Sequence, residues 1–178
     1  MLNEIKVELK GIEPPVWRTL QVPSRTSLLK LHRILQRAMG WTNSHLHRFE
    51  IDGKHYGEPG TEWDMEVLDS RKMNLEKIFF NGTKSFVYEY DLGDGWKHDV
   101  TIMGTVEVEG KEQVACTAGA RACPPEDCGG VGGYYQLLVA ISDPDHEEHD
   151  TMLEWVGGKF DPNAFDISAA DRDLKHMK

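Results

Sequence analysis

The chain has 178 residues, 39 % hydrophobic and 28 % charged, with a formal net charge of −10. These values fit a folded globular chain and exclude the disordered class; the length predicts one domain over 1–178 that can bury its own core. No apolar run reaches the roughly 18 residues that a membrane helix needs, and the charge-alternating start M-L-N-E-I-K-V-E-L-K lacks the unbroken apolar stretch of a signal peptide, so the expected location is cytoplasmic.

The charge is unevenly placed. Residues 1–100 carry 14 Lys and Arg against 15 Asp and Glu, and residues 101–178 carry 6 against 15. An acidic surface repels phosphate backbones, so nucleic acid is an unlikely partner.

In chain order, Ile5, Val7 and Leu9 alternate with charged neighbours, which predicts a strand buried on one face. Pro14 and Pro15 interrupt it, and Val16–Val22 resumes as a second strand. Leu28, Leu31, Leu35, Ala38 and Met39 recur at helical spacing, predicting a helix over 27–39. Thr26 or Ser27 can cap it and Gly40 can end it. Its outer face carries Lys30, Arg33 and Arg37. His45–Asp52 reads as a strand with His45, His47, Phe49 and Ile51 on one face, and Gly53 turns it towards Tyr56. An irregular acidic loop with Trp63 is expected over 57–70, and a short helix over 73–80. Phe86, Tyr88 and Tyr90, then Gly93-Asp94-Gly95, then Trp96, predict a hairpin, because aspartate followed by glycine tolerates positive φ. Residues 110–133 are rich in Gly, Cys and Pro and show no period; they read as a long irregular loop. Helices are expected over 134–141, after Asp143-Pro144, and over about 168–176. Strands around one early helix, then helices, argue an α+β fold: a mainly antiparallel sheet of about five strands, one early packed helix and a helical C-terminal part.

Several strings, taken in order, are specific. They are L-K-G-I-E-P-P-V-W-R at Leu9–Arg18, A-M-G-W at Ala38–Trp41 and H-L-H-R-F at His45–Phe49. Y-D-L-G-D-G-W-K-H follows at Tyr90–His98, C-P-P-E-D-C-G-G at Cys123–Gly130, D-P-D-H-E-E-H at Asp143–His149 and F-D-P-N-A-F-D at Phe160–Asp166. Together they resemble the plasmid pRiA4b (Ri-plasmid) ORF-3-like family over about residues 3–175. Some members of that family occur as passenger proteins of insertion elements. The resemblance implies one compact α+β domain and supplies no catalytic residue. Some members carry a resolvase-like label, but a serine recombinase needs a nucleophilic serine amid arginines that hold the scissile phosphate, and Ser24 beside Arg25 is a poor match.

The residues leave several chemistries to weigh. Cys116, Cys123 and Cys128, spaced C-x6-C-x4-C, could hold zinc with a fourth ligand such as His98 or His146. The usual C-x2-C half-site is missing, so small buried residues or free thiols are the plainer reading. His45 and His47 at i, i+2 on a strand could face one ion, although Phe49 and Ile51 on that face point to core. His146 and His149 share a helix face but do not form the zinc-protease string. Asp94 and His98 could pair as acid and base, with no nucleophile in view. Lys30, Arg33 and Arg37 could meet phosphates, or form a solvated face, or dock the acidic C-terminal helices. No phosphate loop, dinucleotide fingerprint or nucleophile elbow is present. The expected function is therefore a non-enzymatic binding or interaction module with a protein partner, which exposed aromatics such as Trp41 and Trp63 would suit. The alternatives are a zinc-binding protein or metal-dependent enzyme, and a nucleic-acid accessory protein of a mobile element.

Overall fold

The computed structural model describes residues 1–60 and 66–177. Its strands are β1 (Leu2–Leu9), β2 (Trp17–Pro23), β3 (His47–Ile51), β4 (Lys54–Gly57), β5 (Leu68–Asp69), β6 (Ser85–Tyr90), β7 (Trp96–Val106) and β8 (Ala115–Ala120). Its helices are α1 (Leu28–Met39), α2 (Leu75–Phe80), α3 (Gly130–Ser142), α4 (His149–Trp155) and α5 (Ile167–Lys175). The strands form one sheet in the order β5-β4-β3-β6-β7-β1-β2-β8. Neighbours run antiparallel except β4 and β5, which run parallel.

The α+β class matches the expectation, and the five-strand count is corrected to eight among the described residues. β4 and β5 are too short to show a period. β8 reads A-C-T-A-G-A, small residues without hydrophobic alternation, yet it pairs with β2 from Trp17↔Ala120 to Gln21↔Ala115. The supposed loop over 110–133 therefore contains an edge strand. α5 packs near this strand, and its Asp171 Oδ1 accepts the Cys116 N–H at 3.1 Å, a partial cover that opposes pairing with a second molecule.

One face of the sheet is buried and the other is wet. Along β7, Trp96, His98, Val100 and Ile102 are buried while Lys97, Asp99, Thr101 and Met103 are exposed. The buried side chains join those of α1 (Leu28, Leu31, Ile34, Leu35) in a continuous core. Ser27 caps α1 by accepting the Lys30 N–H at 3.3 Å, and Gly40 ends it at φ 91°. Trp41 is 6 % exposed and belongs to the core, which removes it from the surface aromatics expected for partner contact; Trp63 lies outside the described residues. The helix expected after Asp143-Pro144 begins later: 143–148 turns, and α4 starts at His149 without a side-chain cap.

Arg18 fastens the far side of the sheet. It is 2 % exposed. Nε donates to Ala38 O at 3.0 Å, Nη1 to Trp17 O and Ala120 O at 2.7 and 2.8 Å, and Nη2 to Arg121 O at 2.9 Å. Its guanidinium lies 3.9 Å from the Phe165 ring centroid. The planar fork thus ties α1, β2, β8 and the 160s segment, which a lysine's single ammonium cannot do. Arg18→Lys is expected to lower unfolding free energy by about 2 kcal/mol, measured by urea denaturation; an unchanged midpoint would show that these bonds carry no net stability.

Candidate metal centre

Three distant segments meet at the C-terminal end of β6. The turn after β6 supplies Asp91, held at φ 54°. Its Oδ1 accepts the N–H groups of Gly93 at 3.0 Å and Asp94 at 3.3 Å, so Oδ2 is left free to point elsewhere. The segment between β8 and α3 supplies Glu126 and Asp127, the latter at φ 58°. The segment between α1 and β3 supplies His45. Asp and Asn are the side chains that tolerate a left-handed backbone best.

His45 Nε2 lies 2.8 Å from Asp127 Oδ1, 3.7 Å from Asp91 Oδ2 and 3.7 Å from Glu126 Oε2. This nitrogen is sealed from solvent and makes no hydrogen bond, although the Asp127 oxygen stands at ion-pair distance. Donor atoms of His45, Asp91 and Asp127 all fall within 4.8 Å of one another, and among the described residues this is the one group of three His, Cys, Asp or Glu side chains that does so.

The surroundings hold these groups in place. Glu126 Oε1 accepts the Thr42 N–H at 2.7 Å, and the Tyr90 hydroxyl donates to the same carboxylate at 3.1–3.2 Å. Burial, with the Glu126 charge adding, pushes the Tyr90 hydroxyl up to about 12, so it stays a donor. Trp41 Nε1 donates to Pro124 O at 2.9 Å, and the Gly129 N–H donates to Asp94 Oδ2 at 3.0 Å.

On the other side, a closed ring of hydrogen bonds fixes the segment that carries His45. Gln36 Nε2 donates to the Tyr88 hydroxyl at 2.9 Å. That hydroxyl therefore gives its proton to His32 Nδ1 at 2.8 Å, and His32 Nε2–H donates to Asn43 Oδ1 at 2.5 Å. The Asn43 N–H closes the ring on Gln36 Oε1 at 2.9 Å, with Asn43 at φ 59°. His47 stacks on His32, centroids 3.5 Å apart and planes 6° from parallel. Burial pulls His32 down to about 4; burial, then the neighbouring His32, pulls His47 to about 3. Both rings are neutral near pH 7. His32, His45 and His47 line a cleft of about 550 Å³ with Arg33, Asn43 and Arg71.

The candidates named from sequence are partly regrouped. His45 and His47 share the cleft, but His45 precedes β3 and turns to the carboxylates while His47 stacks inward. The three thiols do not form such a group among the described residues. Cys116 is buried on β8, and burial pushes Cys128 up to about 12 and Cys123 higher still, so they stand as protonated, packed thiols. Asp94 serves Gly129, whereas His98 is fully buried with Nδ1 near Tyr88 O; no bond joins the two among the described residues. His146 Nδ1 accepts the Glu148 N–H and His149 Nδ1 donates to Ala140 O. Asp91, Glu126 and Asp127, which surround His45 Nε2, are not singled out by the sequence reading. A signal was available: each lies in one of the quoted strings, and those strings converge here.

The fold and site define an α+β domain with an eight-stranded mixed sheet and a histidine–carboxylate centre at one strand end. The chain belongs to the plasmid pRiA4b ORF-3-like protein family, whose family model matches residues 2–169. It is 41 % identical over 175 residues to the uncharacterized protein y4hQ of Sinorhizobium fredii (strain NBRC 101917 / NGR234), covering 97 % of this chain and 90 % of that one. It is also similar to the crystal structure of a protein of unknown function, MM3350 from Methanosarcina mazei Go1, with a TM-score of 0.86 and 37 % identity over 94 % of this chain and 96 % of that one. No helix among the described residues is long and apolar enough to cross a membrane.

Proposed function

We propose that this protein is a metal-dependent binding module whose centre is a divalent transition metal held by His45, Asp91 and Asp127, with Glu126 beside it. One observation carries the reading: a solvent-sealed imidazole nitrogen with no hydrogen bond, ringed by three carboxylates within 3.7 Å. A buried acceptor without a donor costs free energy, and a cation at that nitrogen satisfies it together with the carboxylates. One nitrogen with carboxylate oxygens suits zinc or manganese better than calcium or magnesium, which take oxygen alone. On this reading the metal weighed from sequence as an alternative would sit on His45 and not on the cysteine loop. The protein partner expected from sequence keeps one support, the exposed Tyr135 and Val139 on α3 and Trp155 on α4.

Titration calorimetry of chelator-treated protein with Zn²⁺ and Mn²⁺ is expected to show about one ion per chain. His45→Ala and Asp91→Asn should each weaken binding about tenfold or more, while Cys123→Ser and Cys128→Ser bind as the parent does. Absence of binding, or loss in the cysteine variants with retention in His45→Ala, would overturn the assignment.

A further inference from the structure

Arg33 and Arg37 stand one turn apart on the exposed face of α1. Like charges at that spacing repel. Arg37, in the last turn, gains from the helix dipole; Arg33 is too far from the end to do so. No ion pair neutralises either among the described residues. The acidic C-terminal helix offers one counter-charge, Asp173, which shares a cleft with them but forms no ion pair with either among the described residues, and Asp171 is paired with Lys175 at 2.5 Å. Both arginines instead line a cleft of about 810 Å³ between α1, the turn at 40–43 and the end of α5, where Asp173 and His176 form the opposite wall. A solvated helix face would be convex; this one borders a concavity. Arg33 and Asn43 also line the cleft of the histidines, so the two spaces share these residues. Asn43 gives its carbonyl to His32, which leaves its NH₂ group without a protein partner among the described residues.

We infer that this cleft binds a phosphate-bearing small molecule, its phosphate clamped between Arg33 and Arg37. Guanidinium groups fit phosphate oxygens two at a time, and a dianion relieves the repulsion between the two arginines. Asp173 is the acidic side chain in the lining, and it opposes an anion from the α5 wall. An extended ligand anchored at Arg33 reaches towards His45; that extension rests on the metal centre proposed above, and the arginine clamp does not.

Calorimetry of the full chain with inorganic pyrophosphate, at low salt and free of metal, tests the clamp. Saturable 1:1 binding is expected, weakened about tenfold or more by Arg33→Ala or Arg37→Ala, tightened by Asp173→Asn, and weakened by added salt. All three side chains lie on helix surfaces facing the cleft, so circular dichroism should show the fold unchanged. Equal affinity in the Arg33→Ala/Arg37→Ala double variant, or no binding in the parent, would overturn the inference. Tighter binding of a DNA duplex than of pyrophosphate, lost in the same variants, would also overturn it, since the arginines would then belong to a polymer-binding face. Mn²⁺ that tightens pyrophosphate binding in the parent but not in His45→Ala supports the extension. Arginine-dependent binding indifferent to Mn²⁺ supports the clamp and counts against the metal reading alone.

Discussion

Unfolding free energy is expected to fall by on the order of 5 kcal/mol between pH 7 and pH 5, driven by three histidines. Burial is the leading cause that lowers each: His32 and His98 to about 4, His47 to about 3. In the unfolded chain each returns to about 6.5. Below that value the unfolded state binds more protons than the folded one, so stability declines as pH falls. The decline runs from about 6.5 down to the folded values, then flattens. Above about 6.5 the rings are neutral in both states and contribute no slope. Near pH 5 roughly three protons are taken up on unfolding, a slope of about 4 kcal/mol per pH unit. Urea titrations at pH 7, 6 and 5 measure it directly. His98→Gln should remove about a third of the slope, since His98 is 0 % exposed and burial holds its ring neutral in the fold down to about pH 4. A stability that holds level to pH 5 would show that the three rings are hydrated enough to charge within the fold.

These histidines also show which parts of the structure were readable from sequence. Period-two alternation identified β1, β6 and β7, because one face of each is buried and the other wet. The apolar stripe and its caps gave α1. The Asp-Gly turn gave the β6–β7 hairpin, where Gly95 takes φ 70°. β8 was hidden because Ala, Gly and Thr pair by backbone alone, and its place is set by β2 on one side and α5 on the other. The helix α3 was expected to begin at Tyr134 yet begins at Gly130, since four residues of low helical propensity are held there by tertiary contact. The candidate site was half visible. His45 was singled out, but with His47, because i, i+2 spacing assumes that both lie in the strand. Asp91 was read as part of a turn, which it is; its second oxygen acquires another use only when residues 126–127 arrive from elsewhere in the chain.

The arrival of that segment depends on Gly133, and Gly133→Ala is expected to lower unfolding free energy by about 3 kcal/mol or more. A Cβ at 133 would lie 1.8 Å from the Cys128 carbonyl oxygen. The obstacle is backbone, so no rotamer change relieves it; either α3 or the 123–129 segment must move. The adjacent Gly132 supplies the control. It lies in the same helix turn with nothing within 4 Å of its Cβ position and no positive φ. Gly132→Ala should therefore be neutral or stabilising by up to about 1 kcal/mol, the ordinary gain of alanine over glycine in a helix. Thermal and urea unfolding of the two variants should shift in opposite directions; equal shifts would place the effect in propensity and not in the contact. The displacement also reaches the centre. Cys128 directly follows Asp127, so a moved carbonyl carries the Asp127 carboxylate away from His45. Gly133→Ala should then lose metal affinity even at temperatures where it remains folded, while Gly132→Ala keeps it. Parent-like affinity in a folded Gly133→Ala protein would mean that Asp127 contributes little to the ion.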